Sequence, residues 1–504
     1  VTKISIDPIT RLEGHGRIDM FLDDMGAVES AFLVIPELRG FEKFLEGRPV
    51  EEMPQLTARI CGVCPEAHHA AAAKAADAVY QVEIPEAAEV IRRLQYNAFM
   101  AGDHATHFFA LGGPDFIVGP NAPAAERNVI GVMKKVGPEL GGRVITMRKV
   151  AHEVSELLGG RRIHPVGMVP GGISKPVSAE TAARLKKIGK FMVEFSLEAI
   201  GIFDSIVMQN PRLKAMVLSE GYVSRTSYMA LVNEKNQPDA YDGHVRIVDA
   251  TGAEVVRYHP SEYLDHFAER VEPWSYLKLP YLKKFGWQGI SDAASGAIVR
   301  TGPLGSLNAS TGMQTPLANA EYERFYQILG GKPVHNTLAY HWARLIEMLQ
   351  CAELVERLAS DERLTSPDVR TIPSGPAREG VGTVEAPRGL LTHHYITDDN
   401  GIVQKANLIV GTTYQYPAIQ LSVQRVAKAL VRPGVELTEP IMNCIEMAFR
   451  AYDPCFGCAT HALPGTGPLE VRMFAPDGSL HEALRRGADG ELERILGSAR
   501  GGSR

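Results

Sequence analysis

The stretch "RICGVCPEAHH", residues 59–69, places Cys61 and Cys64 three positions apart and follows them with His68 and His69. A second pair, Cys455 and Cys458, lies in "DPCFGCATH", residues 453–461, at the other end of the chain. Six cysteines in 504 residues are too few for a disulfide scaffold, and four of the six form these two C-x-x-C pairs. A zinc ribbon also uses two such pairs, but with a short loop between them, because its metal organises a small local fold. Here a metal would join the two ends of a large domain. Each C-x-x-C turn presents two sulfurs to one side, and two turns face to face make a four-thiolate cage suited to a soft or borderline metal. The plainer reading is two separate redox or buried pairs; a histidine flanking each pair, His68 and His461, argues against it.

Outward from these motifs, the chain reads as a full-sized globular protein with 45% hydrophobic residues and a net charge of -6 spread without long runs of one sign. Nothing suggests a nucleic-acid groove or a polybasic membrane surface. No stretch approaches about eighteen uninterrupted apolar residues, so no transmembrane segment is expected. The N-terminal "VTKISIDPITRLEG" lacks the apolar core of a secretory signal, which leaves export on a partner's signal as the alternative.

"RIDMFL" and "AVESAFLVI" flank "DDMG", a hairpin with Gly26 suited to the turn. From Pro85 to Leu111, Ile91, Leu94, Ala98, Ala101, Ala105 and Phe108 recur at helical spacing. A second long helix is expected after Pro176, with Ser178 as N-cap, up to Asn210-Pro211. "YHWARLIEMLQCAELVERLA" makes a third, and a fourth follows Pro417. The middle, from about Arg212 to Gly312, holds a hairpin, "HVRIVDATGAEVVRYH", and reads as an elaboration on the same core. The expectation is therefore an α+β, mainly helical fold, a central long-helix bundle with peripheral β-hairpins, forming one domain over residues 1–504.

These motifs resemble the large, catalytic subunit of a nickel-iron hydrogenase. Supporting segments run in the expected order: "ITRLEGHGRI" at 9–18, "RGFEKF" at 39–44, "GDHATHFFAL" at 102–111 and "EAPRGLL" at 385–391. "PAAERNVIGV", "GGRRIHPVGMVPGGISKP", "ATHALPG" and Pro65 after Cys64 look most like the cytoplasmic, cofactor-coupled group, which is heterodisulfide-reductase-linked, deazaflavin-reducing or NAD-linked. The resemblance implies nickel bound by all four thiolates. Cys61 and Cys455 would be terminal ligands, and Cys64 and Cys458 would bridge to an iron carrying one carbon monoxide and two cyanides. Cys455 would take the proton from dihydrogen first and Glu13 would pass it outward. Arg388 would lie above the metals, held by Asp103 and Asp453, with Pro387 and Arg388 cradling the cyanides. His68 would donate toward the Cys64 sulfur, and His69 has no ligand role. A further metal, magnesium, is implied at Glu42, the Leu408 carbonyl and His461.

Cys351 and Cys444 fall in apolar helical patterns and read as core thiols. "GVGTVEAP" is glycine-rich but lacks G-x-G-x-x-G, so no nucleotide site is expected. With the motif cysteines used, no cluster remains for an iron-sulfur centre. The implied partners, in the cytoplasm, are an iron-sulfur small subunit with further electron-transfer subunits of heterodisulfide-reductase, flavin or NAD type. The alternatives are a regulatory hydrogen sensor with the same site, a quinone-oxidoreductase subunit that has lost the metal, and a structural zinc protein. In many relatives a protease removes the tail after the motif histidine, here between His461 and Ala462. Within residues 462–504, Leu469, Val471 and Met473 alternate as if one face were buried, and a Pro476-Asp477-Gly478 turn would close a hairpin packed on the domain.

Overall fold

The chain opens on an antiparallel meander of β1 (Thr2–Ile6), β2 (Arg17–Leu22) and β3 (Val28–Val34), whose second half is the expected hairpin. The computed structural model describes residues 2–291, 295–375, 378–460, 469–474, 480–486 and 492–496. The hairpin read in the middle of the chain is β5 (His244–Val248) with β6 (Glu254–Tyr258). It belongs to a four-stranded sheet completed by β4 (Ser227–Val232) and a short parallel partner, β7 (Val299–Arg300). Every residue of β4 is buried, so its sequence "SYMALV" shows no alternation from which a strand could be read. A third sheet, β8 (Glu379–Ala386), β9 (Gly389–Thr397) and β10 (Val403–Ile409), is antiparallel throughout.

After two five-residue helices, Phe41–Leu45 and Met53–Thr57, the first long helix is α1 (Pro65–Val79), with proline at its first position, where the missing N–H is no loss. Ala67, Ala70, Ala71, Ala72, Ala73, Ala75 and Ala76 are all buried, giving a thin helix that lies directly on β8 and β9. The approach is so close that a Cβ on Gly382 would fall 2.1 Å from the Ala71 carbonyl oxygen, and one on Gly380 2.4 Å from that of Ala75. The glycines of "GVGTVEAP" thus serve helix-on-sheet contact.

The long helices are α2 (Glu86–Thr106), α3 (Val129–Gly159) and α4 (Ala179–Phe203), followed by α5 (Gly302–Ala309), α6 (Pro316–Leu329), α7 (Tyr340–Leu358), α8 (Gly411–Leu430) and α9 (Glu439–Arg450). Helix α7 packs on α2, α4 and α6, and α2 on α3, which makes the expected bundle. Ile91, Leu94, Ala98, Ala101, Ala105 and Phe108 are buried. The Ser178 hydroxyl caps α4 by accepting the Thr181 N–H at 3.1 Å. Helix α3, unread in the sequence, bends at Gly137 and Pro138, two breakers that interrupt its pattern. Helix α8 corrects another expectation: it starts at Gly411, so Pro417 lies inside it and not before it. Proline's φ suits a helix, and one absent N–H near the start is offset by the packing of this fully buried segment.

Three strands, β11 (Leu469–Phe474), β12 (Leu480–Arg486) and β13 (Leu492–Leu496), form a separate antiparallel sheet in the tail. Met473, expected on a buried face, is exposed. The 476–478 turn and the cleavage point after His461 lie outside the described residues. Among the described residues no helix is long and apolar enough to cross a membrane.

Candidate metal centre

Each C-x-x-C pair ends a loop and starts a helix. Cys64 is the residue before α1, and Cys455 precedes the single turn Phe456–Ala459. The N-terminal loop pairs with the second motif: the Phe456 N–H donates to the Glu13 carbonyl at 3.0 Å. Gly14 has φ +90°, and a Cβ there would lie 2.8 Å from the Gly457 nitrogen, so the loop can come this close only with glycine. Arg39, which stood out in the sequence only for its place in "RGFEKF", ties the two motifs together. Its Nη1 donates to the Ile60 carbonyl at 2.5 Å and to the Gly457 carbonyl at 2.8 Å.

The four sulfurs converge as the sequence led one to expect. All lie within 4.8 Å of one another, with Cys61 Sγ 3.5 Å from Cys455 Sγ, Cys64 Sγ 3.3 Å from Cys458 Sγ, and Cys455 Sγ 2.7 Å from Cys458 Sγ. All four are buried. Burial pushes the Cys455 and Cys458 thiols well up, whereas the neighbouring thiols of Cys455, Cys458 and Cys64 pull Cys61 well down. Four thiolates therefore need a cation among them, and an all-sulfur donor set of this size fits nickel. Cys351 on α7 is buried, Cys444 on α9 is half-buried, and neither joins the cage.

Above the cage, Arg388 stands at the β8–β9 turn. Its guanidinium lies 3.0 Å from Asp103 Oδ1 and 2.9 Å from Asp453 Oδ2, and its Nε donates to the Asp453 carbonyl at 2.9 Å. Burial works against the charge, but Asp103 and Asp453 outweigh it and hold Arg388 well above its ordinary value. Asp453 itself adopts φ 59°, a left-handed backbone that a non-glycine residue keeps only when its surroundings enforce it. Glu13 reaches the cage from the side: Cys455 Sγ is 3.0 Å from its Oε2, which also accepts the Gly457 N–H at 2.9 Å. Burial raises the Glu13 carboxyl above the usual carboxylate range.

Together these placements point to one family, and most of the chain matches it. A family model described as nickel-dependent hydrogenase covers residues 39–136 and 143–461, and one described as HoxL-like covers residues 3–38. The chain belongs to the nickel-dependent hydrogenases. It is 44% identical to an F420-non-reducing hydrogenase iron-sulfur subunit of Archaeoglobus profundus, covering 96% of this chain and 99% of that one. It is 39% identical to the NAD-reducing hydrogenase HoxS subunit beta of Cupriavidus necator, over 96% of this chain and 99% of the relative. A crystal structure of an NAD+-reducing [NiFe]-hydrogenase in the H2-reduced state superposes with a TM-score of 0.86 at 39% identity, covering 92% of this chain and all of that one. The Ni-Fe-Se hydrogenase of D. vulgaris Hildenborough shares the fold, with a TM-score of 0.69 over 91% of this chain. This hydrogenase chain is thus a catalytic large subunit, an oxidoreductase acting on dihydrogen, with the four cysteines as its nickel site.

The remaining expected site residues fall around this hydrogenase centre. His68 is buried, and its Nδ1 meets His393 Nε2 at 3.1 Å; His393 Nδ1 in turn meets the Tyr395 hydroxyl at 2.7 Å. Neither partner was singled out from sequence, since both lie on β9, where every residue from Gly389 to Tyr395 is buried without alternation. His69 has no part in the cage: its Nδ1 meets the Pro54 carbonyl at 2.8 Å and its Nε2 accepts the Met168 N–H at 3.0 Å, a satisfied neutral imidazole that burial holds down at about 4. Glu42 is buried, and its Oε1 accepts the Leu408 N–H at 2.9 Å. Of the expected third-metal set, Glu42 and Leu408 meet through the Leu408 N–H and not through the carbonyl that was expected to bind the metal, and His461 lies outside the described residues.

Proposed function

We propose that this hydrogenase subunit splits dihydrogen reversibly into protons and electrons and hands the electrons to an iron-sulfur partner subunit. The observation that carries the proton half is the contact of Glu13 Oε2 with Cys455 Sγ at 3.0 Å, beside a buried cage beneath Arg388. A bound nickel-iron centre, its iron carrying carbon monoxide and two cyanides, would supply the polarisation that cleaves the nonpolar substrate heterolytically. The Cys455 sulfur takes the proton, and Glu13, whose raised carboxyl holds a proton more readily than an exposed one, passes it on. Glu13 is only partly buried, so the proton leaves the cage toward solvent along the N-terminal loop. Arg388 stays charged between its two aspartates, which makes it an electrostatic clamp and not the base. Cys61, Cys64, Cys455 and Cys458 would hold the nickel-iron centre, and Glu42 would be a ligand of a further magnesium ion.

The electron half rests on exposure. Gly62 and Val63, inside the first C-x-x-C turn, reach the surface, and Val63 is 41% exposed although its flanking cysteines are buried. An electron-accepting cluster docked on that loop would sit one turn from the cage, where tunnelling needs it. The relatives' names, F420-non-reducing and NAD-reducing hydrogenases, favour a cytoplasmic complex with further electron-transfer subunits. In that complex residues 1–504 act as one domain, and the tail after His461 is the segment open to proteolytic removal. Dye-coupled hydrogen uptake by the purified complex tests the reading. Turnover proportional to nickel content is expected; nickel-loaded complex that reduces no dye under hydrogen would overturn it.

A further inference from the structure

Behind Arg388 lies a second buried cluster that the Cys455–Glu13 route does not use. Arg344 and Glu347 share α7, and His104 follows Asp103 on α2. Arg344 Nη1 donates to His104 Nδ1 at 3.1 Å and to the Pro387 carbonyl at 2.9 Å, and it lies 3.4 Å from Asp453 Oδ2. His104 Nε2 meets Glu347 Oε2 at 2.9 Å. All three side chains are buried, Glu347 with 3% exposure.

The donors fix the direction of this line. A guanidinium only donates, so His104 Nδ1 accepts and the imidazole proton sits on Nε2, pointing at Glu347. Burial, and then Arg344, hold His104 well below its ordinary value, which keeps the ring neutral. The aspartates Asp103 and Asp453 balance Arg388 and Arg344 one for one. With burial raising Asp453 to about 6 and Glu385 to about 8, the charge step between those two values depends on Glu347. Around it stand His104 and Tyr96 from α2, Ser306 from α5, Glu385 from β8, and Arg344 and Cys351 from its own helix.

We propose that Glu347 is a positioning residue which, acting through His104 and Arg344, sets the charge and the grip of the Arg388–Asp453 canopy over the metal centre. The proposal rests on the reading of the cage as a nickel-iron centre. Ionised Glu347 turns the His104 bond into a charge-assisted one and draws the line tight; protonated Glu347 slackens it. Burial lifts its carboxyl to about 7, so both states are populated near neutral pH.

Infrared spectra of the purified complex, recorded on wild type and Glu347→Gln from about pH 6 to about pH 8, test this without reference to turnover. In wild type the carbon monoxide and cyanide bands should move to lower frequency through one titration near neutrality, as the added negative charge enriches the iron. In E347Q, which keeps the shape and loses the charge, the bands should stay at the wild type's acid positions throughout. An E347Q that titrates like wild type overturns the proposal, as does an offset that is the same at every pH, which would mark a packing role alone. If E347Q fails to assemble, His104→Gln breaks the same line and should also abolish the titration, while wild-type bands that do not move with pH overturn the proposal by themselves. Wild-type complex with no diatomic bands at all would instead bring down the reading of the cage, and the proposal with it.

Discussion

Glu13→Gln isolates proton transfer from everything else the site does. The amide keeps the length of the side chain, and its oxygen can still accept the Gly457 N–H that Glu13 Oε2 holds at 2.9 Å. What disappears is a titrating group 3.0 Å from Cys455 Sγ. A positioned acid–base group contributes about a hundred- to ten-thousandfold to rate. At about 1.4 kcal/mol per decade, that is about 3 to 5 kcal/mol of barrier. The partial exposure of Glu13 lets water substitute in some measure, so a loss of about a thousandfold is expected, with nickel content unchanged. Glu13→Asp, shorter by one methylene, pulls the carboxylate out of hydrogen-bond reach and should fall between the two. Hydrogen–deuterium exchange under deuterium gas, read by mass spectrometry, follows the proton directly and needs no electron acceptor. Exchange at the wild-type rate in a fully nickel-loaded E13Q enzyme would refute the relay and show that protons leave by another path.

Cys455→Ser or Cys458→Ser should lose nickel or turnover, because a neutral hydroxyl is a poor replacement for a thiolate at a soft site; metal analysis with dye reduction checks it. Gly14→Ala forces a Cβ into the Gly457 nitrogen and Phe456, and should lower both nickel occupancy and exchange, because the loop carrying Glu13 must back away from the second motif. Arg388→Lys keeps the charge but cannot hold Asp103 and Asp453 together; a melting curve should show the cost of a broken buried pair, about 3 to 5 kcal/mol. Burial lifts the carboxyls of Glu66 and Glu347 to about 7. Folded values above the unfolded one mean stability that is complete below about pH 4.5 and is lost as pH rises through about 7, by up to about 3 kcal/mol for each group. The melting temperature of the metal-free chain should therefore fall between about pH 5 and pH 8, and Glu66→Gln should flatten that fall.

Much of the site was legible in the sequence because its chemistry depends on residue type at fixed spacing. Cys61, Cys64, Cys455, Cys458, Glu13, Arg388, Asp103 and Asp453 all come together as their motifs imply. What escaped were residues whose role is set by contact across the fold. Arg39 donates to carbonyls of both motifs, and no local pattern distinguishes it from a surface arginine. His393 and Tyr395 lie in a strand buried on both faces, where period-two alternation vanishes. The helices with an apolar stripe between clear stop signals, α2, α4 and α7, were legible, whereas α3 is broken by Gly137 and Pro138 and α8 carries Pro417 inside it. The glycines at 380 and 382 read only as a glycine-rich stretch without a nucleotide motif, and the structure shows that they admit α1 against the sheet.

The central claim, that the four-sulfur cage holds a nickel-iron centre with diatomic ligands on its iron, is tested most directly by infrared spectroscopy of the purified complex alongside elemental analysis. The account predicts one carbon monoxide and two cyanide stretches in a chain containing both nickel and iron. A cage filled by zinc, with no band in the diatomic region, would contradict it.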